Sequence, residues 1–247
     1  MPLSASTSDK HQWHRFTPVY DAALERLGPV DRIVEFGVLR GDSVRWLRTR
    51  YPWASIFGID ILPVMPEWPQ DERIDYHKLD QGDEQAVSGM FDQIGDGIDL
   101  IIEDGSHFPV HQALCLRAGL PRLRRGGLYI LEDIHTSHRS HPLSTRDHNK
   151  QANALNVLLA VQHLKETSQD LDERRATTLA SDLFFTKDAV TSVFEAIHTV
   201  SFFRRASLPL TCWSCGTADF DYVTLRCRCD ADLYAEADSM TALVTRG

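Results

Sequence analysis

Short apolar runs alternate with segments of helical periodicity through the first half of the chain. The runs have the length of buried strands, and the segments between them repeat apolar residues at the spacing of one helix face. Strands are predicted at 32–37, 54–60, 73–80, 98–104 and 128–133, and helices at 16–27, 42–51, 84–94 and 109–123. This alternation predicts βαβ units and a doubly wound, mainly parallel sheet of the Rossmann-like α/β class.

The second half of the chain is less regular. Helices are predicted at 154–166 and 187–197, a late strand at 198–206 and an exposed connection at 168–178. The composition changes near Pro209, where a cluster of cysteines begins. We therefore expect a Rossmann-like domain over 1–207, followed over 208–247 by a small module resembling a zinc ribbon and a C-terminal tail.

The chain has 247 residues, a formal net charge of −9 and a hydrophobic fraction of 43%. This apolar fraction is enough for a folded core, and no apolar run reaches the roughly 18 residues of a membrane span. The acidic balance disfavours nucleic acid as a partner, because phosphate binding needs a basic face. The polar N-terminal segment lacks the apolar stretch of a secretory signal, so we expect a cytoplasmic protein.

A turn containing glycines joins the first predicted strand to the next helix. Gly37 and Gly41 allow a sharp turn and a close approach to a ligand, and the helix N-terminus offers unpaired N–H groups. Asp60 ends the second strand, where a carboxylate can accept both hydroxyls of a ribose. An ordinary strand–turn–helix capped by Asp42 or Ser43 would show the same spacing. The third glycine of the dinucleotide fingerprint is missing, and an acidic pocket suits the sulfonium of S-adenosylmethionine.

Acidic residues also close the fourth and fifth predicted strands. Asp104 ends the fourth, and Glu132 and Asp133 end the fifth, which is its neighbour in the usual strand order. Three carboxylates meeting at one point would repel each other, and a hard dication such as Mg²⁺ or Mn²⁺ removes that cost. His107 lies three positions after Asp104 and suits a general base. Helix caps and an exposed loop histidine are the alternative interpretation of these residues.

Four cysteines cluster late in the chain as C-x-x-C followed by C-x-C: Cys212, Cys215, Cys227 and Cys229. Two close pairs of thiolates fit a tetrahedral, structural Zn²⁺ site with no position open to substrate. Because C-x-C is the less common spacing, four reduced cysteines in late strands remain the alternative.

Several motifs between Ser8 and Ser137 resemble a known family: SDKHQWHRFTPVY, IVEFGVLRGDS, IFGID, LDQGD, DLIIEDGSH and GGLYILEDIHTS. They are similar to the metal-dependent sugar O-methyltransferases of macrolide-antibiotic biosynthesis. They are also similar to the wider group of rhamnosyl O-methyltransferases and cephalosporin-hydroxylase-like proteins. The paired D-G-S-H and E-D motifs are the most specific part. The resemblance implies S-adenosylmethionine, Mg²⁺ and a sugar-like hydroxyl acceptor.

The resemblance also implies roles for individual residues. The metal ligands would be Asp104, Glu132 and Asp133, and the base would be His107. The methionine part of the cofactor would contact Glu35, Gly37 and Gly41, the ribose Asp60, and the adenine Asp80 and Gln81. Ser43 and Glu103 are assigned to the same pocket. Asp42 departs from the family, which usually has a small residue there, so the geometry of that loop is the least secure part.

The expected function is O-methylation of a hydroxyl on a glycosylated or otherwise polyhydroxylated small molecule. A homo-oligomer is compatible with the sequence. Two alternatives stay open: a protein or RNA methyltransferase that docks its substrate on the zinc module, and a non-catalytic protein that binds the cofactor and a partner. The acidic net charge argues against the first. The presence of His107 together with the three acids argues against the second.

Overall fold

The computed structural model describes residues 1–3, 6–144, 151–234 and 239–247. Helices α1 and α2 come first, and strands and helices then alternate. The elements up to the fifth strand are α1 (Asp9–Gln12), α2 (Thr17–Leu27), β1 (Arg32–Phe36), α3 (Asp42–Arg50), β2 (Ser55–Asp60), β3 (Ile74–Lys78), α4 (Glu84–Ile94), β4 (Ile98–Glu103), α5 (Pro109–Gly119) and β5 (Leu123–Leu131). Those that follow are α6 (Ala154–Glu166), α7 (Glu173–Leu179), α8 (Lys187–Ala196), β6 (Ile197–Arg204), β7 (Phe220–Asp221), β8 (Arg226–Cys227) and β9 (Met240–Arg246).

Within the described residues, seven strands form one sheet in the order β3-β2-β1-β4-β5-β9-β6. Neighbours from β3 to β5 pair in parallel. β9 runs antiparallel to both β5 and β6. The predicted Rossmann-like, mainly parallel sheet is therefore confirmed. The order changes direction between β1 and β4, and ligands of such sheets bind beyond the strand ends at that point.

Apolar side chains cover both faces of the sheet. Alternation along β1 sends Val34 and Phe36 into one hydrophobic cluster and Ile33 into the other. Every residue of β4 is buried, as expected for a central parallel strand with helices on both faces. Packing on both faces of the sheet therefore fixes the positions of the carboxyl ends of the central strands.

Two elements in the second half of the chain differ from the prediction. The segment expected to be an exposed connection contains α7, which begins where the Asp172 side chain accepts from the Arg175 N–H at 2.8 Å. Residues expected to form a C-terminal tail contain β9, which lies inside the main sheet. The range 208–247 thus combines a cysteine module with a strand of the larger unit, and residues 235–238 lie outside the described part.

The cysteine module contains the hairpin β7–β8 and a small apolar cluster of its own. Cys212, Cys227 and Leu233 are buried there, and Trp13 packs against them from the segment after α1. The module is therefore docked on the N-terminal segment of the chain. A search of the described helices finds none that is long and apolar enough to cross a bilayer.

Candidate functional site

A cavity of about 1490 Å³ lies beyond the carboxyl ends of the strands. Its walls come from the loops after β1, β2, β3, β4 and β5, from the α1 segment and from the cysteine module. Ligand pockets of proteins are commonly about 300–1,000 Å³, so this cavity has room for more than one small molecule. It lies where the topology of the sheet predicts a ligand site.

One side of the cavity is the turn between β1 and α3. Gly37 has φ +87° and Gly41 has φ +74°, a region that favours glycine, and Gly41 is the residue before α3. The turn is held by Asp60, whose Oδ2 accepts from the N–H groups of Val38 at 2.9 Å and Leu39 at 3.1 Å. The residues of the predicted cofactor pocket that line the cavity are Gly37, Ser43, Asp60, Asp80 and Gln81, with Gly41 packed beside Trp68 and Pro69.

Two further residues of the predicted pocket, Glu35 and Glu103, are fully buried behind the cavity wall. Burial raises the pKa of each carboxyl to about 7. Glu103 accepts from Gln81 Nε2 at 2.7 Å, and Gln81 Oε1 accepts from the Ser106 N–H at 2.8 Å. Gln81 therefore links the loop after β3 to the end of β4, and neither Glu35 nor Glu103 lines the cavity.

The resemblance implies that the methionine part of the cofactor lies beside Glu35, and on that basis we expect the affinity for S-adenosylhomocysteine, the product of methyl transfer, to depend on pH. Below pH 7 this carboxyl is protonated in the free protein, because its pKa is about 7. A ligand ammonium group beside it favours the carboxylate, so binding must release a proton. Affinity should therefore rise with pH up to about 7 and level off above it. Calorimetry at several pH values, in buffers of different ionisation enthalpy, measures this release.

Glu35→Gln should remove this pH dependence. Glu103→Gln is the matched control and should keep the pH dependence, because the Glu103 pKa is similarly raised but its carboxylate bonds to Gln81. A wild-type affinity that is constant between pH 5.5 and 7 would contradict the prediction.

The loop after β4, directly beside Gly37, and the loop after β5 bring Asp104, His107 and Asp133 together on the cavity wall. One ligand atom from each of these residues lies within 4.8 Å of the other two. His107 Nε2 is 3.7 Å from Asp133 Oδ2. His107 and Asp133 both have positive φ, at 57° and 48°, a strained conformation that is concentrated at functional sites. The hydroxyl of Thr136 donates to the His107 carbonyl at 2.7 Å and so joins the two loops.

The donor set of this cluster suits a hard divalent cation. Asp104 and Asp133 offer carboxylate oxygens, which Mg²⁺ and Mn²⁺ prefer. His107 Nδ1 is buried and has no hydrogen-bond partner among the described residues. The cluster therefore fits a hard divalent cation flanked by an imidazole.

Glu132 faces a lysine that sequence reasoning gave no role. Lys10 is 1% exposed; its ammonium pairs with Asp104 and lies 2.8 Å from Glu132 Oε1. Burial opposes the charge on Lys10, but Asp104 and Glu132 outweigh it and raise the Lys10 pKa well above its ordinary value. Burial, followed by Asp104, raises the pKa of Glu132. Glu132 is not part of the cavity wall, and its role as a metal ligand stays a prediction.

Asp133 is surrounded by imidazoles. Besides His107, the Nδ1 atoms of His14 and His135 lie 3.9 and 3.8 Å from its Oδ1. Burial lowers the pKa of His135 to about 4, so this imidazole is neutral at physiological pH. Of the histidines after β5, His135 and His141 line the cavity, whereas His138 bonds to Ser140 outside it.

The four clustered cysteines come together at one point of the module. The Sγ atoms of Cys212 and Cys229 are 3.6 Å apart, and those of Cys215 and Cys227 are 3.5 Å apart. A disulfide would need about 2.05 Å, whereas tetrahedral zinc with Zn–S of about 2.3 Å gives S–S edges of about 3.8 Å. The N–H of Ala231 lowers the pKa of Cys229 to about 6, which favours a thiolate. The cluster therefore has the dimensions of a structural zinc site.

We expect one Zn²⁺ per chain, released by chelation with loosening of residues 208–234. Cys212→Ser should lose the metal, because three thiolates leave the tetrahedron incomplete. Cys115→Ala, a change at a core cysteine far from the cluster in sequence, should keep it. Elemental analysis of protein purified without chelators measures the content, and zinc retained by Cys212→Ser would contradict the assignment.

Comparison with known proteins finds relatives among sugar O-methyltransferases, although no protein-family model matches the chain. Two come from Streptomyces olivaceus: 8-demethyl-8-(2-methoxy-alpha-L-rhamnosyl)-tetracenomycin-C 3'-O-methyltransferase, 33% identical over 135 residues, and 8-demethyl-8-alpha-L-rhamnosyl tetracenomycin-C 2'-O-methyltransferase, 32% identical over 142. Mycinamicin VI 2''-O-methyltransferase of Micromonospora griseorubida is 33% identical over 134 residues. The matches cover 51–53% of this chain and 33–36% of the relatives, so the chain spans about a third of their length.

Solved structures show the same fold. The MycE methyltransferase from the mycinamycin biosynthetic pathway, in complex with Mg and SAH, superposes with a TM-score of 0.59 at 20% identity. The match covers 94% of this chain and 49% of that one. A complex of MycE with Mg, SAH and mycinamycin VI gives 0.57. The resemblance found in the sequence motifs and the methyltransferase fold are both confirmed.

Proposed function

We propose that this chain is an S-adenosylmethionine-dependent, divalent-metal-dependent O-methyltransferase that acts on a hydroxyl of a sugar or other small natural product. One observation carries the proposal: a single cavity is bounded by the Gly37 turn and, directly beside it, by Asp104, His107 and Asp133. A methyl donor and a metal-assisted acceptor can therefore meet inside it. The similarity to glycoside O-methyltransferases supports the same reaction class.

Different residues of the chain would bind the metal and accept the proton in this transfer. Asp104 and Asp133 would hold the divalent cation, which when bound lowers the pKa of an acceptor hydroxyl. His107 would take the hydroxyl proton on Nε2, because its Nδ1 is buried, and the Asp133 carboxylate 3.7 Å from Nε2 would stabilise the imidazolium by its charge. The acceptor oxygen forms a bond to the methyl carbon as the carbon–sulfur bond breaks, leaving S-adenosylhomocysteine. The rigid strand ends supply orientation, a large contribution in such transfers.

We further propose that the protein is cytoplasmic and that the cysteine module is inserted into the Rossmann-like unit. None of the five cysteines forms a disulfide, which supports a cytoplasmic enzyme, because cysteines stay reduced there. The Rossmann-like unit would comprise the main sheet including β9, and the cysteine module would be an insertion before that strand. The acceptor partner would be a small, glycosidic molecule.

Calorimetry and mass spectrometry test the function together. S-adenosylhomocysteine should bind to the wild-type protein, and a divalent cation should be required for turnover but not for cofactor binding. Incubation with S-adenosylmethionine, Mg²⁺ and a panel of glycosides should add one methyl mass to an acceptor. Cofactor binding without transfer to any member of a broad panel would favour a non-catalytic binding protein. Absence of cofactor binding would overturn the proposal.

A further inference from the structure

The cysteine module forms a wall of the same cavity that holds the metal cluster. Its cavity-lining residues are Thr211, Cys212, Trp213, Ser214, Gly216 and Asp232. A purely structural zinc module would have no need to face a ligand cavity. This placement indicates that the module contributes to binding.

Trp213 is the most distinctive side chain of this wall. It lies in the turn between Cys212 and Cys215 and is 65% exposed, so most of its indole is uncovered. Its ring meets Trp13 edge to face, with ring centroids 5.9 Å apart. The Arg205 guanidinium lies 4.8 Å from the Trp13 ring centroid. Arg205 and Trp213 thus both contact the Trp13 ring, and the exposed Trp213 side chain lines the cavity.

Trp13 is next in the chain to a residue of the metal cluster's surroundings. Trp13 precedes His14, whose Nδ1 is 3.9 Å from Asp133 Oδ1, and Trp13 follows the short helix that carries Lys10. The N–H of Leu210 donates to the Gln12 carbonyl at 2.8 Å and ties the module to this segment. A ligand that extends from the metal cluster along this wall would reach Trp213.

The chemistry of the wall favours a sugar ring. Binding pockets combine apolar and aromatic surface with a few placed polar groups, and an indole offers a broad apolar face at low entropic cost. A pyranose presents such an apolar face through its ring C–H groups, and its hydroxyls remain free to point toward polar partners. Ser214, which follows Trp213 in the chain, and Asp232 are polar residues of the same cavity wall and could supply those partners. The cavity volume leaves room for this ring in addition to a methyl donor.

We propose that Trp213, held in place by the Cys₄ zinc turn and supported by Trp13, is the stacking platform for the sugar ring of the acceptor. This inference rests on the proposed function and adds a specificity residue to it. Zinc would then act on catalysis indirectly, because an emptied cysteine cluster releases the turn that presents the indole. Trp213 is a binding residue and takes no part in proton or methyl transfer.

Methyl transfer to 4-nitrophenyl α-L-rhamnoside tests the proposal. Trp213→Ala should raise the KM for this glycoside about tenfold, while kcat and the affinity for S-adenosylhomocysteine stay within about twofold, since loss of an aromatic contact is of that order. Trp213→Phe should retain much of the affinity. Tyr222→Ala is the matched control, because Tyr222 is an exposed aromatic residue of the same module outside the cavity. Zinc content confirms that each variant keeps its fold.

Direct binding, measured by ligand-observed NMR, separates the possible outcomes. Methyl α-L-rhamnoside should lose affinity for Trp213→Ala and for protein stripped of zinc and resupplied with Mg²⁺, and both proteins should still bind S-adenosylhomocysteine. If only the nitrophenyl compound is weakened, the wall binds the aglycone and sugar stacking is wrong. An unchanged KM in Trp213→Ala also overturns the inference, as does wild-type protein that binds the cofactor but no glycoside. Failure to bind S-adenosylhomocysteine would instead refute the proposed function itself.

Discussion

Replacing His107 by alanine is expected to lower kcat by about 10²- to 10⁴-fold, the usual contribution of a positioned general base. The imidazole faces the cavity, its Nε2 is 3.7 Å from Asp133, and its loop is fixed by Thr136. Affinity for S-adenosylhomocysteine should stay nearly unchanged, because the imidazole pairs with Asp133, which is not one of the predicted cofactor residues. Single-turnover methyl transfer, measured beside calorimetry, distinguishes these effects.

His138→Ala is the control for this prediction, since His138 follows β5 but bonds to Ser140 outside the cavity. Titration with Mn²⁺ distinguishes a base from a ligand. If His107→Ala loses the metal as well as turnover, the imidazole is a metal ligand and the proposed base is wrong. An unchanged kcat would eliminate both roles.

Gly37→Ala is expected to destabilise the fold by about 2–4 kcal/mol and to abolish cofactor binding. A Cβ at this position would lie well inside van der Waals contact of the Asp104 carbonyl oxygen, and φ is +87°. The obstacle is backbone, so relief requires the tips of β1 and β4 to separate. The Asp104 N–H donates to Phe36 O at 3.0 Å across that gap, so the metal cluster would move too. Urea unfolding gives the stability.

Two other glycines separate the causes of this loss. Gly97 has φ +83° but nothing within 4 Å of an added Cβ, so Gly97→Ala should show the backbone strain alone, about 1–2 kcal/mol. Gly89 lies within α4 with open space around it, so Gly89→Ala should stabilise the protein by about 0.5–1 kcal/mol. A Gly37→Ala effect no larger than that of Gly97→Ala would show that the contact with Asp104 is easily relieved.

Local apolar periodicity predicted most of the fold. Helices α4 and α6 have the predicted bounds 84–94 and 154–166, because each carries a full apolar face. α7 was missed because its sequence, ERRATTL, buries only Ala176 and carries little periodic signal. β9 was missed because Met240–Arg246 has a short apolar stretch and pairs with strands far away in sequence. Short elements stabilised by distant partners leave no local pattern.

The candidate site was predicted to the extent that topology determines it. Parallel strands end at one edge, so Asp104 and Asp133 were expected to approach each other, and the structure places them in one cluster. Lys10 gave no such signal. It lies in the polar N-terminal segment, where the side chain of Ser8 caps α1 by accepting from the Lys10 N–H. A buried lysine is recognisable only once the acids that face it have been located.

The position of β9 has a consequence for biogenesis. β5 forms early, but the edge it presents is covered by a strand that lies about 110 positions later in the chain. While the ribosome translates the intervening residues, β5 exposes unpaired amides beside a strongly apolar strand, a template for edge-to-edge association. The edge of β5 is therefore completed only when residues 240–246 emerge and pair between β5 and β6.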